Sequence, residues 1–372
     1  AFLAAGMLAL ADLFDAELDA STRQFVLAGA LPGAQYRVWR PYILGGLGLA
    51  RALQGRARDA ETLAQSAVDF AQANGTAHHH SLVFAQLALA HVALEQGDRD
   101  TVVVRLLDTS LSAQRTGRPS TIGLHRVLHI DRISLLKGPT AALSELDTAR
   151  RPSPEPPLVV DLTQAQELRL LVADDRLVRA RRVQPTVGRP LLIPHLVDLE
   201  LAEGHTGAAR ARLDAWETSP DDTGAAVRRR LREASVLEAE GRADAALASL
   251  HQALSLAEPE GLRRPFLEHT TSMRLLRTEG RRASQVFAKS ILEVASARGS
   301  YERAQQSLIE PLTERELEVL DYLPTRLSNN EIAAALFVSV NTLKSHLRHI
   351  YAKLAVTDRD AAVDRASEIG LL

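Results

Sequence analysis

Hydrophobic positions over residues 1–300 recur at helical spacing and are broken by one repeated punctuation. Five stretches share it: ARALQGRARDAETLA, HVALEQGDRDTVVVRLL, ISLLKGPTAALSEL, LELAEGHTGAARARL and VLEAEGRADAALASL. Each joins an amphipathic segment, a glycine, a few polar residues and a second amphipathic segment rich in Ala and Leu. The glycines are Gly55, Gly97, Gly138, Gly204 and Gly241, spaced 42, 41, 66 and 37 residues apart. The longest interval holds a sixth pair, LTQAQELRLLVADDRLVRARRV, with Asp174-Asp175 in place of glycine. A residue without Cβ adopts positive φ at least cost, so the pattern predicts a left-handed helix C-cap and an abrupt reversal. One helix pair buries only one side, and neighbours must stack to close a core. The expectation for 1–300 is an α-solenoid of TPR-like (tetratricopeptide-like) helix pairs, looser than the consensus and without its aromatics. Pro-rich RPSPEPP at 151–157 reads as a stiff turn between pairs.

Residues 301–311 read as a linker, and beyond them the punctuation becomes dense. LTERELEVLDYL opens with Thr313 and Glu316 in the S/T-x-x-E spacing of a capping box, and Pro324 stops that helix. SNNEIAAALF repeats the device with Ser328 and Glu331 and turns Ile332, Ala333 and Leu336 inward. After the turn Phe337-Val338-Ser339, Ser339 is placed to cap a third helix, VNTLKSHLRHIYAKL. TDRDAAVDRASEIG supplies a fourth, ending at Gly370. Short helices joined this way predict a helix-turn-helix domain over 312–372, in an all-α chain.

The third helix has two unlike faces. Val340, Leu343, Leu347, Ile350, Tyr351 and Leu354 form an apolar stripe. The opposite sector holds Asn341, Ser345, Arg348, His349 and Ala352, flanked by Lys344 and Lys353. No Asp or Glu occurs from Ile332 through Thr357, although segment 313–372 as a whole has seven Lys/Arg against nine Asp/Glu. Positive charge confined to one helix face is what approach to phosphate requires, and basic or amide side chains there reach base edges in a major groove.

Composition narrows the alternatives. The chain has 372 residues, enough for two or more domains, with 46% hydrophobic residues and only 4% aromatic. Its net charge of −2 says nothing about nucleic acid, so that signal must be local. The absence of cysteine excludes disulfides and thiolate metal sites and fits a reducing cytoplasm. The opening AFLAAGMLALADLF lacks the basic start of a signal peptide, and Asp12 and Asp15 cut the apolar run short of a membrane span. It starts without Met inside a helical pattern, so the chain is expected to be part of a longer protein.

Candidate chemistry upstream is thin. GGLGLA at 45–50 imitates a dinucleotide fingerprint but has no strand before it, which favours close helix packing. His78-His79-His80 reads better as a solvated helix start than as a metal site. His125 and His129, at i,i+4, lack a third ligand in the sequence. No Walker A, G-x-S-x-G or H-E-x-x-H motif occurs, so the chain is expected not to be an enzyme.

L-T-E-R-E-L-E-V-L, S-N-N-E-I-A, S-V-N-T-L-K-S-H-L, I-Y-A-K-L and A-V-D-R-A-S-E-I-G-L-L together resemble the LuxR-type helix-turn-helix family across almost all of 312–372. The resemblance implies a transcriptional regulator bound to double-stranded DNA, with 340–354 in the major groove. It implies Lys344, Ser345 and Arg348 at bases, Asn341 beside them, and Thr342, His346, Asn329 and Lys353 nearer the backbone or supporting the helices. It implies a homodimer formed through Ala362, Val363, Ala366 and Ile369, with RNA polymerase as a further partner to consider. Two departures stand out: Leu343 where Val is usual, and Ala355 where a glycine usually ends the recognition helix. The upstream array, with AEPEGLRRPFLE at 257–268, resembles the rear half of large MalT-like regulators. That implies a small-molecule or protein effector on the repeats and ATP only in a longer parent, since no phosphate loop lies in this chain. The rival expectation is a protein-interaction scaffold whose terminal domain no longer reads DNA.

Overall fold

The computed structural model describes residues 1–149, 154–183, 189–279, 286–308, 310–325, 327–336, 338–369 and 371–372. Within them, nothing is described of the side chains of 100, 107, 111, 114, 115, 297–307, 314 and 335. Residues 151–153 of the Pro-rich turn, Phe337 and Gly370 therefore lie outside what is described.

Every regular element among the described residues is helical. In chain order the α-helices are α1 (Phe2–Phe14), α2 (Leu18–Ala30), α3 (Trp39–Leu53), α4 (Ala57–Ala73), α5 (Val83–Gln96), α6 (Arg99–Thr116) and α7 (Pro119–Lys137). Next come α8 (Pro139–Ala149), α9 (Pro157–Ala173), α10 (Leu177–Ala180), α11 (Ile193–Ala202), α12 (Thr206–Asp214), α13 (Thr223–Ala239) and α14 (Ala243–Ala257). They are followed by α15 (Arg264–Leu267), α16 (Thr270–Glu279), α17 (Val286–Ser307), α18 (Glu314–Tyr322), α19 (Asn329–Ala335), α20 (Val340–Leu354) and α21 (Arg359–Ile369). None of the described helices is long and apolar enough to cross a membrane.

The six turns read from the sequence join α3 to α4, α5 to α6, α7 to α8, α9 to α10, α11 to α12 and α13 to α14. Gly97 illustrates the device at φ 71°: the following N–H, that of Asp98, bonds back to the carbonyl of Ala93 at 3.0 Å. Asp175 adopts the same left-handed conformation at φ 58°, and Arg176 N–H reaches Leu171 O at 2.8 Å. The side chain that replaces glycine there is of the type that best tolerates αL. The GGLGLA segment is helical, and a Cβ on Gly46 would lie 2.3 Å from the Phe25 ring. Close packing of helices accounts for it.

One boundary differs from expectation. Helix α17 continues to Ser307, so most of the expected 301–311 linker is helical. Turns far apart in the chain also close on one another. Gly224 N–H donates to Gln54 O, and Arg263 N–H to Glu95 O, both at 2.9 Å. At this closure a buried charge cluster forms. Arg264 reaches Asp131 at 2.8 Å, Glu268 at 2.7 Å and Glu95 at 3.3 Å. Arg169 reaches Asp131 and Glu268, and Arg228 meets both oxygens of Glu95 at 3.0 Å. Three guanidiniums thus face three carboxylates, the balance a low-dielectric interior demands. Burial alone would raise the carboxyls of Glu95 and Asp131, but the arginines outweigh it and hold both below the usual range.

Because those carboxyl pKa values are depressed on folding, their contribution is present above about pH 4 and is lost as pH falls through the folded values. Glu95→Gln removes the only carboxylate among the described residues that Arg228 shares with Arg264. We expect it to cost about 3 kcal/mol or more in urea denaturation at pH 7, with the difference from the parent shrinking on acidification.

Candidate nucleic-acid interface

The C-terminal helices are built by local caps. Thr313 accepts from the N–H of Glu316 while the Glu316 carboxylate accepts from the N–H of Thr313 at 2.8 Å; Ser328 and Glu331 form the same reciprocal pair. Ser339 accepts from Thr342 N–H at 3.0 Å and starts α20. Leu343, Leu347, Ile350 and Leu354 are buried in a core shared with Leu317, Leu320, Ile332, Leu336, Ala362 and Ala366. This core fixes α20 with its other face outward.

Asn341, Thr342, Lys344, Arg348, His349 and Ala352 are exposed on that face, and Ser345 and His346 are half-buried beside them. Thr342 Oγ1 lies 2.8 Å from Ser339 Oγ within the cap, and Ser345 donates to Asn341 O at 3.2 Å. Among the described residues neither Lys344 nor Arg348 has an ion-pair partner. His349 lies 3.6 Å from Glu316. Asn329 is half-buried at the first position of α19. The result is a helix whose outward face presents an amide, hydroxyls, cations without an ion-pair partner among the described residues, and no acid.

Of the two roles expected for Lys353, the geometry matches support of the helices. Only 10% exposed, Lys353 bonds to Glu316 at 2.9 Å, to Glu310 at 3.1 Å and to Pro311 O at 3.1 Å. Its ammonium ties the end of α20 to the cap of α18, because Glu316 is buried and needs a cation. Burial works against the charge on Glu316, but Lys353 and the Thr313 cap lower its pKa. The expected dimer stripe also changes. Ala362 and Ala366 are 0% exposed inside the domain's own core, since i,i+4 spacing turns both toward α20. Only Val363 and Ile369 remain half-buried on the flanks of α21.

Two supports escaped the sequence. Arg359 donates to the carbonyls of Leu323, Thr325 and Leu327 at 2.7–2.8 Å and so closes the open end of α18. Partners more than thirty residues away leave no local signature. The domain also docks on the helical array. Fully buried Arg132 of α7 pairs with Asp321, His129 Nε2 lies 3.4 Å from Glu318, and Val103 of α6 packs on the domain core. Burial opposes the charge of Glu318, yet His129, Lys137 and Arg132 hold its carboxyl well below the usual range. This pairing explains His129. Its neighbour His125 bonds Thr109 at 2.9 Å, and burial, with His129 and Arg132 adding, lowers its pKa to about 3. His79 caps a short 3-10 turn through Ser81 N–H at 3.1 Å. Glu200, Glu203 and His205 lie close enough for a metal, but Arg181 pairs with both carboxylates.

Ala355 ends α20 at φ 56° and ψ 46°, the left-handed conformation that disfavours Cβ. Ala355→Gly is expected to stabilise the domain by about 1 kcal/mol, read as slower hydrogen exchange of the α20 amides. Lys353→Ala leaves buried Glu316 without its cation and should cost about 1–3 kcal/mol by the same measurement.

Residues 310–366 match the family described as bacterial regulatory proteins, luxR family. Two similar proteins are the probable csgAB operon transcriptional regulatory protein of Salmonella typhimurium (strain LT2) and the CsgBAC operon transcriptional regulatory protein of Escherichia coli (strain K12). Each is 49% identical to this chain over 57 residues. That is 15% of this chain and 26% of each relative, so the chain spans about a quarter of the length of these regulators. By its match and its capped helices, the segment 310–366 is a helix-turn-helix domain of the LuxR family.

Proposed function

We propose that this chain is a sequence-specific transcriptional regulator that places α20 in the major groove of double-stranded DNA, with the helical array as its effector- or partner-sensing part. It acts by binding, not by catalysis. The observation that carries the reading is the exposed, acid-free face of α20, where Lys344 and Arg348 have no carboxylate partner among the described residues. A cation already paired within the protein, such as Lys353, would have to break that pair before neutralising a phosphate; Lys344 and Arg348 need not. The two similar proteins are named as operon regulators, which supports the same reading. Binding as a homodimer fits the family resemblance, but its surface would have to use residues other than Ala362 and Ala366.

A mobility-shift titration across salt concentrations tests this. Selected sites from random DNA should be bound with log K falling linearly against log salt. Arg348→Ala should cost about 1–3 kcal/mol on the selected site and little on random DNA, as loss of a base contact does. Lys344→Ala should do the same if it reads a base, or weaken both equally and reduce the salt slope by about 1 if it holds a phosphate. A flat salt response, or no binding, overturns the reading and leaves an interaction scaffold.

A further inference from the structure

Helices α1 and α2 form a hairpin whose outer side has no polar cover. Ser21 Oγ of α2 donates to Ala9 O of α1 at 2.8 Å and fixes the level at which the two antiparallel helices meet. Their inner side closes on α3, where Ile43 lies within 4 Å of the position a Cβ would take on either Gly6 or Gly29. On the other side every exposed residue of α1 is apolar: Leu3, Ala4, Met7, Leu8 and Ala11. Level with them on α2, Val26, Leu27 and Ala30 are exposed, and Arg23 is the one exposed charge of that helix. Leu3, Met7 and Leu8 are 47–63% exposed, and Val26 and Leu27 are 51–55% exposed.

An ordinary surface helix of this chain looks different. Helix α4 turns Arg58, Glu61, Ser66 and Asp69 to water and keeps its alanines inside. The α1–α2 side chains instead leave roughly 500 Å² of contiguous apolar surface, near the largest patch that monomeric proteins show. Two such faces in contact would bury about 1,000 Å², the size at which specific protein interfaces begin.

The pattern on α1 also complements itself. Ala4, Met7, Leu8 and Ala11 stand at i, i+3, i+4 and i+7 and make one stripe along the helix. From either end the stripe reads small, large, large, small. Two α1 helices laid antiparallel about a two-fold axis therefore set Met7 of each against Leu8 of the other and Ala4 against Ala11, as an isologous interface requires. The alanines permit close approach, and the stripe holds no charge to meet its like. Asp12 of each copy comes level with the first turn of the other α1, where the helix dipole favours a carboxylate.

From these features we infer that the outer face of α1–α2 is a homodimer interface, its occupant a second copy of this chain packed α1 against α1. The surface lies in the helical array, apart from Ala362 and Ala366, and its use does not depend on whether α20 binds DNA.

The test is analytical ultracentrifugation of the full chain without DNA across the micromolar range, where a reversible monomer–dimer equilibrium is expected. Met7→Glu sets two carboxylates beside the axis and should weaken the dimer at least tenfold, about 1.4 kcal/mol. Leu27→Glu should weaken it as well. Both positions are exposed, so far-ultraviolet circular dichroism should match the parent. Val178→Glu, at an exposed apolar residue of α10, should leave the dimer unchanged. The chain has no cysteine, so Leu8→Cys and Val178→Cys each carry one thiol; a short bismaleimide should link the first variant into dimers and not the second. A chain that stays monomeric throughout, a dimer indifferent to Met7→Glu, or crosslinking at Val178→Cys alone overturns the inference. So does a monomer that floats with phosphatidylcholine vesicles unless Met7→Glu is present, which gives the face to lipid. A dimer that binds no DNA loses only the regulator reading, and a monomer that binds DNA loses only this inference.

Discussion

Closure of the helical array depends on one arginine. Arg264 enters the interior from a four-residue helix late in the array and meets carboxylates from α5 and α7, far earlier in the chain. Charges withdrawn from water tolerate only arrangements in which each has its counter-charge, so the cluster admits one register of closure and penalises others. Such a cluster need not add much net stability over an apolar substitute. Its effect is to make the alternatives costly. From this closure follow the meeting of Gly224 with Gln54 and the position of α7.

Local devices were legible and distant ones were not. The capping boxes at Thr313 and Ser328 span four residues, and each formed as its spacing required. The reversal turns were equally plain, including the one where Asp175 stands in for glycine. Helix α5 is apolar almost all round and buried almost all round, since such a pattern leaves no solvent face. Ring closure, Arg359 and Arg132 were hidden because their partners lie tens to more than a hundred residues away. The partner that fixes Lys353 is equally far off, 37 residues before it in the chain. Its charge resembled that of Lys344, and only the fold shows that Glu316 holds it.

The C-terminal domain therefore divides its positive charge between two tasks. Arg315, Lys353 and Arg359 are bound to carboxylates or helix-end carbonyls within the domain. Lys344 and Arg348 project outward from a helix with no acid in its first turn. Counting charges over the segment conceals this division, which is why the domain is acidic in sum and still presents a cationic face.

Asp131 and Arg132 are neighbours on α7. The first belongs to the buried charge cluster, and the second is clamped to Asp321 of the helix-turn-helix domain. A helix transmits displacement along its axis almost as a rigid rod, so these residues cannot move independently. Linkage makes the relation reciprocal: whatever free energy closure of the array lends to domain docking, docking lends to closure. A release of the domain that loosened α7 would then also loosen the charge cluster that closes the array.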